Sequence, residues 1–141
     1  MPEVALPAEP TPEQYRAVAS LRAALRRFSR ESERIAREED LTPRQYLLLL
    51  LIKGAPDGSE RSTVTELARQ LQLTQSTVTE LVRRAEDAGL ISREASRDDA
   101  RVTWLSLSRE GENRLTKAFS RLGPQRKNLY AILGEVGEAE D

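Results

Sequence analysis

The amino-acid sequence predicts a mainly α-helical protein with one small β-hairpin. Three observations lead to this fold class. Threonine-led helix starts recur at Thr11, Thr42 and Thr63, each with a glutamine or glutamate three residues later. Apolar residues follow these starts at helical spacing. Between residues 90 and 107 the apolar period changes to two, which indicates strands. The length of 141 residues suits one domain with a helical arm.

The first forty residues contain two predicted segments. Residues 1–10 hold three prolines without apolar periodicity, so we expect a flexible arm. A helix is predicted over 11–40, because Thr11, Pro12 and Gln14 make a helix start. Its apolar positions follow coiled-coil spacing and are Val18, Leu21, Leu25, Phe28 and Ile35. Such a narrow stripe suits contact with the core of the same domain or with a second subunit, and both alternatives stay open.

A second helix is predicted from Thr42 through the apolar run 46–52. A helix that is apolar on every side is expected to be buried. A strand is the alternative for so short a run. The capping threonine and the leucines, which are not branched at Cβ, favour the helix. Residues 54–58 contain two glycines and a proline and are predicted to form a loop.

Two short helices are predicted next, at 63–71 and 74–88. Thr63 and Glu66 resemble a third capping box, and Thr74 starts the second helix. Gly89 is expected to end that helix in a left-handed conformation. Two helices of this size joined by a short turn indicate a helix-turn-helix.

The chain after Gly89 is predicted to form a hairpin and a last helix. Strands are expected at 90–93 and 102–107 around a charged turn. Ser108 is placed to cap the helix that follows, and Gly123-Pro124 should kink or break it. The predicted organisation is an arm (1–10), an N-terminal dimerisation helix (11–40), a winged helix-turn-helix domain (41–108), a C-terminal dimerisation helix (109–134) and a frayed tail (135–141).

Composition excludes several classes of function. The sequence has no cysteine and no histidine, which removes disulfides, thiolate metal sites and nucleophile–histidine catalysis. We find no glycine-rich phosphate loop or metal motif, and the carboxylates stand in mixed-sign helical patterns typical of solvated faces. We therefore predict no catalytic residue, metal or cofactor. Without an apolar run of ~20 residues or a secretory signal, we expect a cytoplasmic protein.

The helix over 74–88 and the hairpin turn have residue types that suit DNA. The N-terminal residues of a recognition helix lie near base edges in the major groove, and Gln75 can bond adenine through both amide atoms. A hairpin can carry Arg101 into the minor groove, with Asp99 pairing to it and setting its direction. A solvated charged turn is the alternative. Glu80 has two possible roles, a cytosine contact or a pair with an arginine of its own helix. The candidate DNA-binding residues are Thr74, Gln75, Ser76, Thr77, Thr79, Arg83, Arg84, Arg97, Asp99 and Arg101.

These residues also carry a resemblance to the MarR family of bacterial transcription regulators. The matching motifs are Leu41-Thr42-Pro43-x-Gln45, Thr65-Glu66-Leu67-Ala68, Leu73-Thr74-Gln75-Ser76-Thr77-Val78-Thr79, Arg84-x-Glu86-x-x-Gly89-Leu90-Ile91-x-Arg93, and Asp99-x-Arg101-x-x-x-Leu105-x-Leu107-Ser108-x-x-Gly111. Each fragment alone is weak, but their order and spacing together are specific.

The resemblance implies a homodimer with interlocking terminal helices that binds pseudo-palindromic double-stranded DNA, mostly as a repressor. It also implies release from DNA by a small phenolic or aromatic effector. The apolar residues of the terminal helices that would form the dimer interface are Val18, Leu21, Leu25, Phe119, Leu122, Leu129, Ile132 and Leu133.

Three departures from the family qualify this inference. The family commonly ends in a further dimerisation helix, and the sequence stops soon after Leu133, so we expect part of that interface to be missing or replaced. The lack of cysteine excludes the peroxide-sensing branch that uses a reactive thiol. The lack of histidine and cysteine together argues against the zinc-sensing branch.

Charge leaves a second kind of function open. Residues 61–114 contain nine arginines and nine acids, so a DNA-binding face must be basic by segregation. This requires one side to hold Arg83, Arg84, Arg93, Arg97 and Arg101. The acids expected elsewhere are Glu66, Glu86, Asp87, Glu110 and Glu112. A winged-helix module that binds protein instead of DNA is the alternative.

The aromatic residues are few. Alternation places Trp104 on the hairpin face opposite Leu105, where it covers apolar surface or reports on wing contacts. Tyr15, Tyr46 and Tyr130 suit either core packing or an effector pocket.

Overall fold

The structure, a computed structural model, describes residues 8–141. Most of the arm predicted for 1–10 lies outside these residues. The elements are α1 (Pro12–Glu38), α2 (Pro43–Lys53), β1 (Arg61–Ser62), α3 (Val64–Leu71), α4 (Gln75–Asp87), β2 (Ile91–Ala95), β3 (Thr103–Leu107), α5 (Arg109–Arg121) and α6 (Gly123–Glu140). This order confirms the predicted fold class, a mainly helical chain with a small winged sheet.

The chain divides into two compact units. The central unit comprises Ser32–Arg121, and the terminal unit comprises the residues up to Glu31 together with Leu122–Asp141. The first part of α1 therefore belongs to the terminal unit and its end to the central unit. The helix-turn-helix and the sheet lie wholly in the central unit.

The threonine starts act as predicted. Around Thr11 the reciprocal bonds to Gln14 measure 2.9 and 3.2 Å, and around Thr42 those to Gln45 measure 3.0 and 3.1 Å. These two capping boxes satisfy N–H groups that the helix itself leaves unpaired. At Thr63 the side chain accepts from the backbone N–H of Glu66 at 3.2 Å, while the Glu66 carboxylate binds Arg69. The third box is therefore only half formed.

The core of the central unit surrounds α2. Helices α3, α4 and α5 and strands β1 and β3 all contact α2. Leu48, Leu49 and Ile52 are buried, but Leu47 is 45% exposed. The prediction of a helix buried on every side was therefore wrong, because one edge of α2 has no neighbouring element in the unit. The remaining buried core residues include Leu41, Leu67, Val78, Val82, Ala85, Leu90, Leu105, Leu115 and Ala118.

The sheet has three antiparallel strands in the order β1-β3-β2. The hairpin of β2 and β3 confirms the predicted wing, and β2 continues to Ala95, two residues beyond the predicted strand. Strand β1 was not predicted. It has only two residues, paired with Ser106 and Leu105 of β3, and so short a segment shows no alternation in sequence.

The C-terminal helices differ from the prediction in one respect. The helix breaks before Gly123-Pro124, as expected. The predicted frayed tail is wrong, because α6 continues to Glu140. Alanine and glutamate favour helix strongly enough to offset Gly134 and Gly137. A second C-terminal helix of 18 residues is thus present, which corrects the expectation that this element is missing.

The predicted dimer-interface residues differ in exposure. Val18, Leu25, Phe119 and Leu133 are exposed, and Leu21, Leu129 and Ile132 are half-buried. Leu122 is buried within the chain and has no surface for a partner. Along α1, Ile35 is also buried, so the stripe serves the chain's own core at one end and is open to solvent at the other.

Candidate nucleic-acid interface

The helix-turn-helix places two helix N-termini side by side. Gln72 has a left-handed backbone with φ of 56°, which turns the chain between α3 and α4. Thr74 caps α4, accepting from the Thr77 N–H at 3.2 Å. Across the turn, Gln75 Nε2 donates to Thr65 Oγ1 at 3.2 Å. This bond joins the start of α3 to the start of α4 and orients the amide of Gln75.

The polar start of α4 is open to solvent. Thr74, Gln75, Ser76 and Thr79 are exposed, whereas Thr77 is half-buried and its hydroxyl lies 2.8 Å from that of Thr74. Thr77 therefore serves the cap, and the exposed residues present hydroxyl and amide groups. Such groups bond bases or phosphates without charge repulsion.

The arginines of α4 are paired with acids of the same helix. Arg83 Nε donates to Glu80 at 3.0 Å and Arg83 Nη1 to Asp87 at 2.9 Å, while Arg84 Nε donates to Glu80 at 3.2 Å. The bond from Arg83 lowers the pKa of Glu80 below its usual range. Of the two roles considered for Glu80, the structure shows the intrahelical pair.

A further ion pair joins α4 to the wing. Arg93 of β2 donates to both carboxylate oxygens of Glu86, at 2.9 and 2.8 Å. The expectation that Glu86 and Asp87 lie away from the arginines was wrong. Both acids lie on α4. Helical spacing places Asp87 beside Arg83, and Glu86 lies beside Arg93 because β2 follows α4 closely. The remaining acids pair with other cations: Glu66 with Arg69, Glu110 with Arg114, and Glu112 with Lys53.

The wing tip holds the predicted Asp99–Arg101 pair. Asp99 accepts from the Arg101 backbone N–H at 3.0 Å and from its Nε and Nη2 at 3.1 and 3.2 Å. The bond from the Arg101 side chain lowers the pKa of Asp99. The Arg101 side chain is nevertheless 90% exposed. Asp99 therefore holds the Arg101 guanidinium through Nε and Nη2, and the remaining N–H groups of the guanidinium are open to solvent.

The turn itself is held by Ser96. Its Oγ accepts from the backbone N–H groups of Asp98 and Asp99 at 3.2 and 3.3 Å. Arg97 is exposed and makes no ion pair within residues 8–141. The charged turn is thus an ordered structure that carries one oriented and one free arginine.

Sequence analysis did not identify one arginine of this surface. Arg61 of β1 stacks on the indole of Trp104 in β3, 4.1 Å from the ring centroid. Trp104 lies on the sheet face opposite the buried Leu105, as alternation predicted. The signal was absent because β1 is too short to be recognised and the stack is non-local.

The wing is anchored to the end of α4. Gly89 has a φ of 77° and ends the helix as predicted, and Ser108 Oγ donates to its carbonyl oxygen. Ser108 Oγ also accepts from the Gly111 N–H at 3.0 Å, confirming the cap of α5. Helix α4, strand β2 and helix α5 therefore meet at one junction, which sets the wing relative to α4.

Other kinds of site were also considered. Within residues 8–141, no group of three or more acidic side chains is placed to hold a metal ion. None of the helices in that range is both long and apolar enough to cross a membrane. Tyr46 is buried in the core, while Tyr15 and Tyr130 are exposed.

Comparisons with known proteins agree on one family. A family model described as the MarR family matches residues 39–102. The regulator MgrA of Staphylococcus aureus is 30% identical over 120 residues, covering 78% of this chain and 79% of MgrA. The organic hydroperoxide resistance transcriptional regulator of Bacillus subtilis is 33% identical over 91 residues, covering 64% of this chain and only 59% of that protein.

A solved structure shows the same fold bound to DNA. A mutant MarR of E. coli, crystallised with operator DNA, superposes with a TM-score of 0.64 at 19% identity. The superposition covers 79% of this chain and 77% of that one.

Proposed function

The chain belongs to the MarR family of transcriptional regulators, and from this premise we propose that it is a homodimeric repressor of a pseudo-palindromic operator. In this proposal α4 enters the major groove and the wing enters the neighbouring minor groove. Both partners, DNA and a second copy, belong to one mechanism, because two recognition helices related by a two-fold axis match an inverted repeat. A repressor acts where transcription takes place, so we expect a cytoplasmic protein.

The observation that carries the proposal is the Asp99–Arg101 pair at the wing tip. An arginine without a fixed direction loses side-chain entropy when it enters a groove. Here two hydrogen bonds from the Arg101 guanidinium to Asp99 already orient the side chain, while 90% of it stays exposed. A cation held in this way is suited to the narrow minor groove, where the negative potential is concentrated.

The ion pairs of α4 affect how DNA would be bound. Arg83 and Arg84 are exposed and share Glu80, and exposed pairs of this kind are weak. Phosphates can therefore take over their donors. Asp87 and Glu86 remain nearby and repel phosphate, so the net gain per arginine is small. We expect Arg97 and Arg101 to contribute more to affinity than Arg83 and Arg84.

The effector proposal is supported by a cavity in the terminal unit. Its volume is about 160 Å³, and its lining joins the apolar walls Phe28 and Leu129 to Arg27 and Glu31, which carry opposite charges. The apolar walls suit a small aromatic molecule such as a phenol, whereas Glu31 disfavours an anion. The name of the Bacillus subtilis relative refers to organic hydroperoxide resistance. A cysteine-based response to hydroperoxide has no chemical basis in this sequence, which has no cysteine.

The test begins with selection from random duplex DNA at two salt concentrations. An enriched inverted repeat with half-sites ~10 bp apart, bound less tightly at high salt, is the expected result. With that operator, Arg101→Ala should weaken binding by ~1–3 kcal/mol, about 5- to 150-fold. Arg16→Ala is the matched control, because Arg16 is also exposed and paired with one acid, Glu13, at 3.3 Å. Equal affinities of the two variants would refute the role of Arg101.

A second candidate function is binding to a protein partner. It is favoured by Glu80, Glu86 and Asp87, which leave the recognition helix close to neutral. The selection experiment separates the two functions. A dimer in sedimentation that enriches no sequence would support protein binding, whereas an enriched inverted repeat would exclude it as the main function.

A further inference from the structure

The exposed face of α1 in the terminal unit is strongly basic. Residues 14–30 contain five arginines and no acid. Arg22, Arg26 and Arg30 follow one another at every fourth position, so they lie on the same side of the helix. Within residues 8–141 they make no ion pair, whereas most arginines of the central unit have a carboxylate partner. Like charges at this spacing destabilise a helix, which favours a partner of opposite charge.

This side of α1 also has apolar surface. Leu25 is 41% exposed and, with Ser29, lies between the three arginines in an open groove. The residues that α1 turns toward α6, such as Ala24 and Phe28, line a different cavity together with Leu129. The chain's own α6 therefore occupies one side of α1 and leaves the arginine side open.

The same unit contains the matching acidic surface. Residues 134–141 contain four acids and no cation: Glu135, Glu138, Glu140 and Asp141. All four are exposed, and none forms an ion pair in the described part of the chain. Leu133 and Tyr130, just before them, are exposed as well. The end of α6 thus combines exposed apolar side chains with charged ones, as the α1 groove does, but its charges are negative.

We propose that the arginine side of α1, formed by Arg22, Arg26 and Arg30 around Leu25, binds the acidic end of α6 from a second copy of this chain. The proposal rests on the homodimer proposed above and adds a pairing rule: the basic surface of one copy contacts the acidic surface of the other. Two copies cannot join arginine side to arginine side, because these cations would repel. A two-fold axis makes the α1-to-α6 contact twice, once in each direction, so each protomer uses both its basic and its acidic surface.

The pairing rule is tested with two charge-reversed proteins. In one, Arg26→Glu and Arg30→Glu are combined; in the other, Glu135→Arg and Glu138→Arg are combined. Sedimentation should show that each variant alone has its dimer dissociation constant raised about tenfold or more, since every attractive contact becomes repulsive. An equimolar mixture should form heterodimers with close to wild-type affinity, because both contacts in the mixed dimer again join opposite charges.

The control variant combines Arg44→Glu and Arg109→Glu, which changes the net charge by the same amount in the central unit and should dimerise as the wild type does. Circular dichroism checks that helix content is kept in every variant. Charge-reversed variants that dimerise as the wild type does would overturn the pairing. A mixture of the two variants that stays dissociated would also overturn it, and would place the contact within one chain. A wild-type protein that is monomeric would refute the proposed homodimer itself, which is a different outcome.

Discussion

Gly111 offers a prediction that is worked directly from distances. A Cβ built on Gly111 would lie 2.2 Å from the Leu90 carbonyl oxygen and 3.1 Å from its carbonyl carbon, whereas a tolerable Cβ contact needs at least 3.0 Å. The obstacle is backbone, and it is held on both sides. Leu90 O accepts from the Ser108 N–H at 3.0 Å, and Leu90 N donates to Ala85 O at 2.9 Å. Gly111→Ala therefore forces α5 away from the backbone of Leu90, the residue before β2, by close to an ångström.

The expected cost is about 2 kcal/mol or more. Overpacking of a buried site costs roughly 1–3 kcal/mol, and weakening the Ser108–Leu90 hydrogen bond adds about 1 kcal/mol. Alanine has a higher helix propensity than glycine, but at the first turn of a helix this offsets less than about 1 kcal/mol of the cost. Because the junction also sets the wing beside α4, operator affinity should fall at temperatures where the variant is still folded.

The assay is urea unfolding at one fixed protein concentration, since dimerisation contributes to apparent stability. With a slope of about 2 kcal/mol per molar urea, the midpoint should fall by about 1 M. Gly137→Ala is the control: its Cβ would meet nothing within 4 Å, so it should gain about 0.5–1 kcal/mol. An unchanged or raised midpoint for Gly111→Ala would show that the close approach to Leu90 does not exist.

Three further predictions concern the DNA-binding surface. Thr74→Ala removes the cap of α4 and should lower the free energy of unfolding by about 1 kcal/mol, measured in urea; a loss no larger than that of an exposed Ser→Ala change would contradict the cap. Trp104 is the only tryptophan, and Arg61 covers it, so Arg61→Ala should increase quenching of its fluorescence by acrylamide; equal quenching would mean that the stack is absent in solution. The pKa of Asp99 is lowered by Arg101, so the pair contributes fully above the usual pKa of 3.8 and is lost only as pH falls below it. Since the sequence has no histidine, operator affinity should stay constant between about pH 5.5 and 7, and a transition in that window would show that another group controls binding.

Local features were predictable because their partners are close in sequence. The capping boxes at Thr11 and Thr42 need residues only three positions apart, and the Asp99–Arg101 pair needs two. The hairpin followed from alternation, and the left-handed end at Gly89 from the properties of glycine. In each case the signal is local, either a partner within three residues or the period of neighbouring residues, so residue order alone indicates the structure.

Errors arose where single residue types and summed charges were used as signals. The end of α6 contains two glycines and four acids, which suggested fraying, yet its alanine and glutamate residues keep it helical to Glu140. The acids of α4 were expected to avoid the arginines, but helical spacing places Asp87 beside Arg83. A net charge summed over a domain does not reveal which charges pair.

The sequence by itself determined the helix starts, the helix-turn-helix, the wing and the oriented Arg101. Hydrogen bonds over two or three residues decide the helix starts and Arg101, and the spacing of apolar residues indicates the helices and strands. Only the tertiary structure decided the pairing of Arg93 with Glu86, the stack of Arg61 on Trp104 and the close approach of Gly111 to Leu90. These contacts join different elements of the fold. Their geometry depends on how the elements pack around the common core, and spacing along the chain carries no measure of that packing.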